Sequence, residues 1–272
     1  MLIASDVRIG AGVPFEDSGE NEFKEEREDL KFELSVSILV FLVGIGSAFI
    51  QRVSGFGQGI FVMLFLPHFL PSHTASAAIS GLFSCVTNSY NAWKYKKQIA
   101  FRIILPPLAA GFVTIPIAVH YSVKISGQVF HMVLGVVLIC LSIYFLLFSK
   151  RMKIRPTVPG GLFAGALGGT LSGLFSTGGP PIVLYLTQAT EGKLIYFASI
   201  QFYFCMTGLY STAVRIVNGV LTAELMVYAA IGLVGCMIGD TFGKKVFDKI
   251  DAEMLKKIIY IGMIISGILM IF

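Results

Sequence analysis

Apolar runs close to the length of a membrane-spanning helix recur down this chain with only short polar interruptions. Crossing the hydrocarbon core of a bilayer takes roughly 20 apolar residues in a helix, and charges or Gly/Pro clusters mark its ends. That rule predicts ten apolar segments: Leu34 to Ile50, Gly59 to Leu70, His73 to Trp93, Phe101 to Tyr121, Val129 to Phe148, Val158 to Phe175, Pro180 to Ala189, Leu194 to Val217, Thr222 to Phe242 and Leu255 to Phe272. With 55% hydrophobic and 14% charged residues, a 272-residue chain has too little polar surface for a water-soluble globule. The expected fold class is an all-α polytopic membrane protein.

Charge is segregated along the sequence. Residues 1–33 hold ten of the sixteen acidic residues and read as an acidic, polar N-terminal extension. Residues 34–272 carry 17 Lys+Arg against 6 Asp+Glu, a net +11. In a soluble domain that balance would suggest nucleic acid, but here the cations flank apolar spans, where topology and anionic lipid account for them. Membrane lipid is the expected partner and nucleic acid is not. No basic region followed by a short apolar core begins the chain, so a cleavable signal peptide is not predicted.

Loop charges also predict orientation. With the Lys94 to Arg102 loop in the cytoplasm, the inside loops collect 15 cations: Arg52, Lys94, Lys96, Lys97, Arg102, Lys150, Arg151, Lys153, Arg155, Lys193, Lys244, Lys245, Lys249, Lys256 and Lys257. Only Lys124 and Arg215 fall outside. This positive-inside bias predicts a multi-pass protein of the cell membrane with both termini outside.

Two segments, Gly59 to Leu70 and Pro180 to Ala189, are too short to cross about 30 Å at roughly 1.5 Å per residue. Each follows a glycine cluster. Irregular backbone at membrane depth is tolerated only where protein or a water-filled cavity covers its N–H and C=O groups. The two breaks also occupy corresponding places. A displacement of 121 residues sets Gly57 on Gly178, Val62 on Val183, Lys94 on Arg215, Gly111 on Gly232 and Lys124 on Lys245. The repeated order of long segment, break, short segment and three further segments predicts two five-segment repeats, residues 34–150 and 151–272. An odd number of segments places such halves in opposite orientations, as in transporters built from inverted repeats.

The first break, Ser54-Gly55-Phe56-Gly57-Gln58-Gly59-Ile60-Phe61-Val62, followed by Pro67 and by Thr74-Ala75-Ser76-Ala77-Ala78, resembles the TauE/SafE family of sulfite exporters. The second, Gly173-Leu174-Phe175-Ser176-Thr177-Gly178-Gly179-Pro180-Pro181-Ile182-Val183, resembles that family's second copy of the element. The likeness covers roughly residues 36–272. Gln58 departs from it, standing where the family pattern has a glycine, and the acidic extension lies outside it. The resemblance implies ion-driven transport of sulfite, sulfonate, thiosulfate or a related small oxyanion, with a proton or sodium ion as coupling partner.

A break that leads into a short helix points that helix's free N–H groups and positive dipole end at the protein interior, and two such ends facing one cavity make an anion site. On this reading Gly57, Gln58 and Gly59 meet Gly178, Gly179 and Pro180 around the substrate, with Ser54, Ser176 and Thr177 adding hydroxyl donors. The competing reading is that the glycines only allow close helix packing. After each break comes a polar stripe at helical spacing: Ser80, Ser84, Thr87, Asn88 and Asn91 in one half, Gln201, Cys205, Gly208 and Thr212 in the other. Such a stripe either lines the substrate path, with Asn88 and Gln201 as contacts, or supplies hydrogen bonds between helices.

Arg52, just before the first break, reads equally as substrate ligand, gate or structural cation. Lys94 and Arg215 read as cations snorkelling to headgroups or attracting an anion at the cavity mouths. Asp240 reads as an ion-pair partner of Lys244, one helical turn away, rather than as a proton-coupling acid.

No catalytic, metal or cofactor site is predicted. Cys85, Cys140, Cys205 and Cys236 lie in apolar segments without C-x-x-C spacing. None of His68, His73, His120 and His131 has an i, i+4 partner with carboxylate support. The chain contains no G-x-S tripeptide and no G-x-x-x-x-G-K-[ST] loop. An anion channel and a membrane-embedded enzyme remain the alternatives to a secondary carrier, and no feature of the pattern sets an oligomeric state.

Overall fold

The structure is a computed structural model that describes residues 18–122, 124, 127–148 and 157–249, together with positions 261, 264, 265 and 268. Apart from those four positions, the expected segment Leu255 to Phe272 lies outside the described residues. So do Lys150, Arg151, Lys153, Arg155, Lys256 and Lys257.

Helices make up the whole of the described architecture: α1 (Ser18–Ser54), α2 (Gln58–Phe65), α3 (His73–Lys94), α4 (Phe101–Ser122), α5 (Gly127–Phe148), α6 (Val158–Phe175), α7 (Gly179–Ala189), α8 (Lys193–Val217) and α9 (Ala223–Phe247). Single 3-10 turns, Leu66–His68 and Lys96–Gln98, punctuate the ends of α2 and α3. The first of them begins beside Pro67, which lacks the N–H needed to carry α2 onward. The described residues up to Ser35 fall in one compact unit and those from Val36 onward in a second.

Several helices run past the limits that apolarity alone suggests. α9 continues through Lys244 and Lys245 to Phe247, where cations suit the negative end of the helix dipole. Serine and threonine side chains start other helices. Ser72 accepts from the Ala75 N–H, Thr157 from Gly160 and Thr222 from Leu225, each satisfying a donor the first turn leaves open.

Polarity is arranged for lipid rather than water. Gln58, Asn88 and Gln201 are no more than 1% exposed, whereas Trp93, Val113, Phe163 and Met237 stand at 65% or more. Four described helical stretches are long and apolar enough to cross a membrane: Glu33–Ser54, Phe101–Ser122, Val158–Phe175 and Leu225–Phe247. α3 and α8 match them in length, at 22 and 25 residues, but carry the polar stripes inward.

Three helix pairs organise the body. α3 and α8 run antiparallel: Gly81 lies beside Thr212 and Gly208 beside Cys85, Ser89 Oγ is 3.1 Å from Cys205 Sγ, and the Tyr95 and Phe197 rings meet at 5.6 Å. α4 and α6 run parallel, because Gly165 packs on Pro107, Gly169 on Gly111 and Thr114, and Gly173 on Ile115 and Ala118. α1 and α9 also run parallel, with Gly235 on Phe41, Gly239 on Ile45 and Gly243 on Phe49 and Arg52. Small residues one turn apart let backbones approach where lipid offers no hydrophobic gain for association.

One end of this body gathers cations. Lys193 Nζ donates to the Phe247 carbonyl at 2.6 Å and caps α9, while the Phe197 ring touches both Tyr95 and Phe247. The ends of α3 and α9 and the start of α8 therefore share one face, and Lys94, Lys96, Lys97, Lys193, Lys244, Lys245 and Lys249 are exposed on it. Lys96 stacks 5.7 Å from the Trp93 ring, the amphipathic pairing found at membrane interfaces. Two of the expected loop cations are corrected. Arg52 and Arg215 are 1% and 0% exposed inside helices and belong to no loop.

Candidate functional site

Both breaks interrupt helices where the sequence loses the means to continue them. α1 stops at Ser54, whose hydroxyl donates to the Ile50 carbonyl at 2.7 Å and also bonds the Phe56 carbonyl. The chain then passes through Gly57 at φ 98°, a left-handed conformation that side chains resist, and α2 begins at Gln58. α6 stops at Phe175 with Ser176 at φ 54°, and α7 begins at Gly179 followed by Pro180 and Pro181.

The two breaks touch. A Cβ on Gly59 would run into the Ser176 carbonyl oxygen, and one on Gly179 would press on the Phe56 side chain at 3.2 Å. Between them lies a cavity that also reaches α3 and α8. Gly57, Gln58, Gly59 and Ile60 line it from the first break, and Ser176, Thr177, Gly178 and Gly179 from the second. Ser80, Gly81 and Ser84 of α3 face Phe204, Thr207, Gly208 and Ser211 of α8, and Gln51 and Ser172 close it from the ends of α1 and α6. The cavity has a volume of ≈ 40 Å³, where holding one water takes about 10–15 Å³. That is room for a few waters or one small ion.

None of these lining side chains carries a charge, and most of the polar ones are hydroxyls or amides. Neither Gly57 nor Gly178 offers a side-chain cap, so the first-turn N–H groups of α2 depend on other partners. Gln51 Oε1 takes the Gln58 N–H at 3.3 Å; the Gly59 and Ile60 N–H groups point along the helix start with its positive dipole end. α7 contributes fewer donors than expected, because Pro180 and Pro181 have none and only Gly179 supplies a first-turn N–H. The two helix ends are thus unequal, and α2 presents more first-turn N–H groups than α7.

Side-chain donors are ranked by what they already hold. Ser80 Oγ is buried without a hydrogen-bond partner among the described residues. Ser176 Oγ is spent on the Ala77 carbonyl at 2.8 Å, and Thr207 on the Tyr203 carbonyl at 2.8 Å. Gln58 Oε1 accepts from Thr87 Oγ1 at 3.0 Å, which turns its Nε2 towards Cys236 Sγ at 3.7 Å.

Five residues expected at the site stand outside the cavity lining. Ser54 is used within the turn. Pro180 is buried in α7 beside the break. Asn88 sits one layer behind, accepting from Gln51 Nε2 at 2.7 Å and donating to Ser84 Oγ at 2.5 Å, so it orients two lining residues instead of lining the cavity itself. Gln201 donates to the Gly55 carbonyl at 3.3 Å and braces the first break. Arg52 turns away from the cavity. Its guanidinium bonds Asn91 Oδ1 and, at 2.9 Å, the Tyr95 hydroxyl; it lies 5.0 Å from the Phe197 ring centroid and 3.9 Å from Asp240.

Asp240 was expected to pair with Lys244; it instead accepts from Asn91 Nδ2 at 3.0 Å and faces Arg52. The helical neighbour loses because Arg52 is already desolvated and needs the charge, whereas Lys244 reaches solvent. Gln51, Ser172, Phe204, Thr207 and Ser211 also line the cavity, beyond the residues the sequence pattern points to. For Gln51 and Ser172 a signal exists, since they are polar residues separated by the same 121 positions as Gly57 and Gly178.

A protein-family model described as "Sulfite exporter TauE/SafE" matches residues 40–270. No curated protein and no solved structure shows a significant match to the chain.

Proposed function

The chain belongs to the sulfite exporter TauE/SafE family, a family of membrane transporters, and on that footing we propose that it is a secondary transporter of a small sulfur-containing oxyanion of the sulfite, sulfonate or thiosulfate class, working by alternating access. The observation that carries this reading is the cavity where the two glycine breaks touch. Its polar lining side chains are hydroxyls and amides, which can donate hydrogen bonds to an anion, and none of them is a carboxylate that would repel one.

Two five-segment repeats are the second element of the proposal. Helix limits support it: α1 ends at Ser54 and α6 at Phe175, and α2 and α7 begin at Gln58 and Gly179, each pair 121 positions apart. The antiparallel course of α3 and α8, which the same displacement superposes, supports an inverted relation between the halves. In the alternating-access reading, the paired α1/α9 and α4/α6 bundles rock about the fixed breaks. The cationic face bearing Lys94, Lys193 and Lys244 supports placing that end in the cytoplasm of a cell-membrane protein.

Purified protein in liposomes tests the function. Uptake of labelled sulfite should saturate, show counterflow, and respond to an imposed pH or sodium gradient. Non-saturating flux without gradient coupling would mean a channel. Ser80→Ala and Gln58→Ala, at equal reconstitution, should each lower flux at limiting substrate, and unchanged flux in both would remove the breaks as the binding site.

A further inference from the structure

Among the described residues two arginines, Arg52 and Arg215, are wholly buried, and the protein treats them differently. Arg52 has Asp240, Asn91 and Tyr95 around it. Arg215, 0% exposed near the end of α8, is answered among the described residues only by backbone: Nη2 donates to the Gly173 carbonyl at 2.8 Å and to the Ser172 carbonyl at 3.5 Å. Its Nε and Nη1 have no hydrogen-bond partner, and no acid pairs with it, among the described residues. Those carbonyls belong to the last turn of α6, so the contact is a helix cap that occupies one nitrogen of three. A desolvated guanidinium left otherwise unpaired is costly, and buried charges are normally paired or bind an ion.

Position adds a second observation. Ser211, one turn before Arg215 on α8, and Ser172, whose carbonyl it reaches, both line the cavity. Between them and α3 lies Thr212, whose hydroxyl is also buried without a partner and sits 3.3 Å from where a Cβ on Gly81 would be. Ser80, Thr212 and Arg215 are thus buried donors without partners among the described residues, set at successive positions along α3 and α8 from the cavity towards the end opposite Arg52 and the exposed lysines.

We propose that Arg215, with Thr212 beside it, is a second anion site, which holds a small oxyanion between the central cavity and the end of the body where α8 terminates. The guanidinium offers planar donors matched to two oxygens of one anion. This rests on the oxyanion reading of the cavity for its biological substrate, but not for the binding itself.

Thermal melting of the purified full chain with sodium sulfite or sodium sulfate, against sodium chloride at equal ionic strength, reads binding without transport. The wild type should gain stability with the oxyanions. Arg215→Gln keeps a donor for the Gly173 carbonyl and removes the charge; it should lose most of that gain and raise the flux KM by about tenfold or more, the loss of one charge-assisted hydrogen bond. Thr212→Val should lower the oxyanion gain with its own unliganded melting temperature unchanged.

An Arg215→Gln protein with the wild-type oxyanion gain and KM overturns the proposal and identifies Arg215 as a cap for α6 only. If Arg215→Gln does not fold, Thr212→Val decides: a wild-type gain and KM overturn it equally. A wild type that binds oxyanion through Arg215 but does not transport it would sink the transport reading and leave this site standing.

Discussion

The Cα of Gly59 lies against the carbonyl oxygen of Ser176, close enough that a Cβ at position 59 would overlap it. The first and second breaks are therefore in backbone contact beside the cavity, and the contact depends on a hydrogen standing where every other residue has a carbon. Gly59→Ala should force the breaks apart at a cost of ~1–3 kcal/mol, the usual range for overpacking. A lower melting temperature in detergent together with strongly reduced sulfite flux is expected. Wild-type values for both would show that the breaks need not touch.

The Arg52 and Asp240 pair predicts a graded response. Removing one partner of a buried ion pair costs ~3–5 kcal/mol, and here less, because Asp240 is 17% exposed and water screens part of the charge. Asp240→Asn retains an acceptor for Asn91 Nδ2 and should be the milder variant; Asp240→Ala leaves Arg52 with Asn91 and Tyr95 alone. Melting temperatures should fall in the order wild type, Asn, Ala. Equal melting of all three would mean that the Asn91 and Tyr95 hydrogen bonds suffice to hold Arg52.

Much of this arrangement is written locally, and the rest is not. Apolar length places α6 from Val158 to Phe175, and glycine clusters place both breaks, because those signals act within one helix. The fate of a charged residue depends on what a distant helix brings to it. Lys94 and Arg215 look alike in sequence, each closing a polar stripe, yet Lys94 is exposed beside Tyr90 while Arg215 is buried because the end of α6 offers it the Gly173 carbonyl. Asp240 has Lys244 one turn away and takes Arg52, which α1 carries to it along the Gly239 and Gly243 contact. Asn88 and Gln201 are legible as buried polar residues, but only the positions of Gln51 and Gly55 decide that they support the cavity from behind.

Orientation is open to direct labelling. In a variant lacking the four native cysteines, Lys94→Cys should react with an impermeant maleimide only from the cytoplasmic side, and Lys124→Cys only from outside. Lys94 and Lys124 are both exposed and flank opposite ends of α4, so one reagent tests both faces. Labelling of Lys94→Cys from outside would invert the proposed topology.

Packing and transport can be separated at Gly208. This glycine lines the cavity from α8, and a Cβ there would sit 3.5 Å from the Cys85 backbone nitrogen and 3.8 Å from Ser84 Oγ, ordinary contact distances. Gly208→Ala should therefore fold as well as the wild type, and gain slightly from the better helix propensity of alanine. The added methyl occupies space in a cavity of ≈ 40 Å³, enough to narrow it for an anion as large as thiosulfate more than for sulfite. The expected result is a melting temperature no lower than the wild type's with a rise in the ratio of sulfite to thiosulfate flux. By contrast, Gly169→Ala drives its methyl into Gly111 and Thr114 at the α4/α6 contact, away from the cavity lining, and should lower stability with no change in that ratio. A Gly208→Ala protein with unaltered selectivity would place the permeation path elsewhere than along α8.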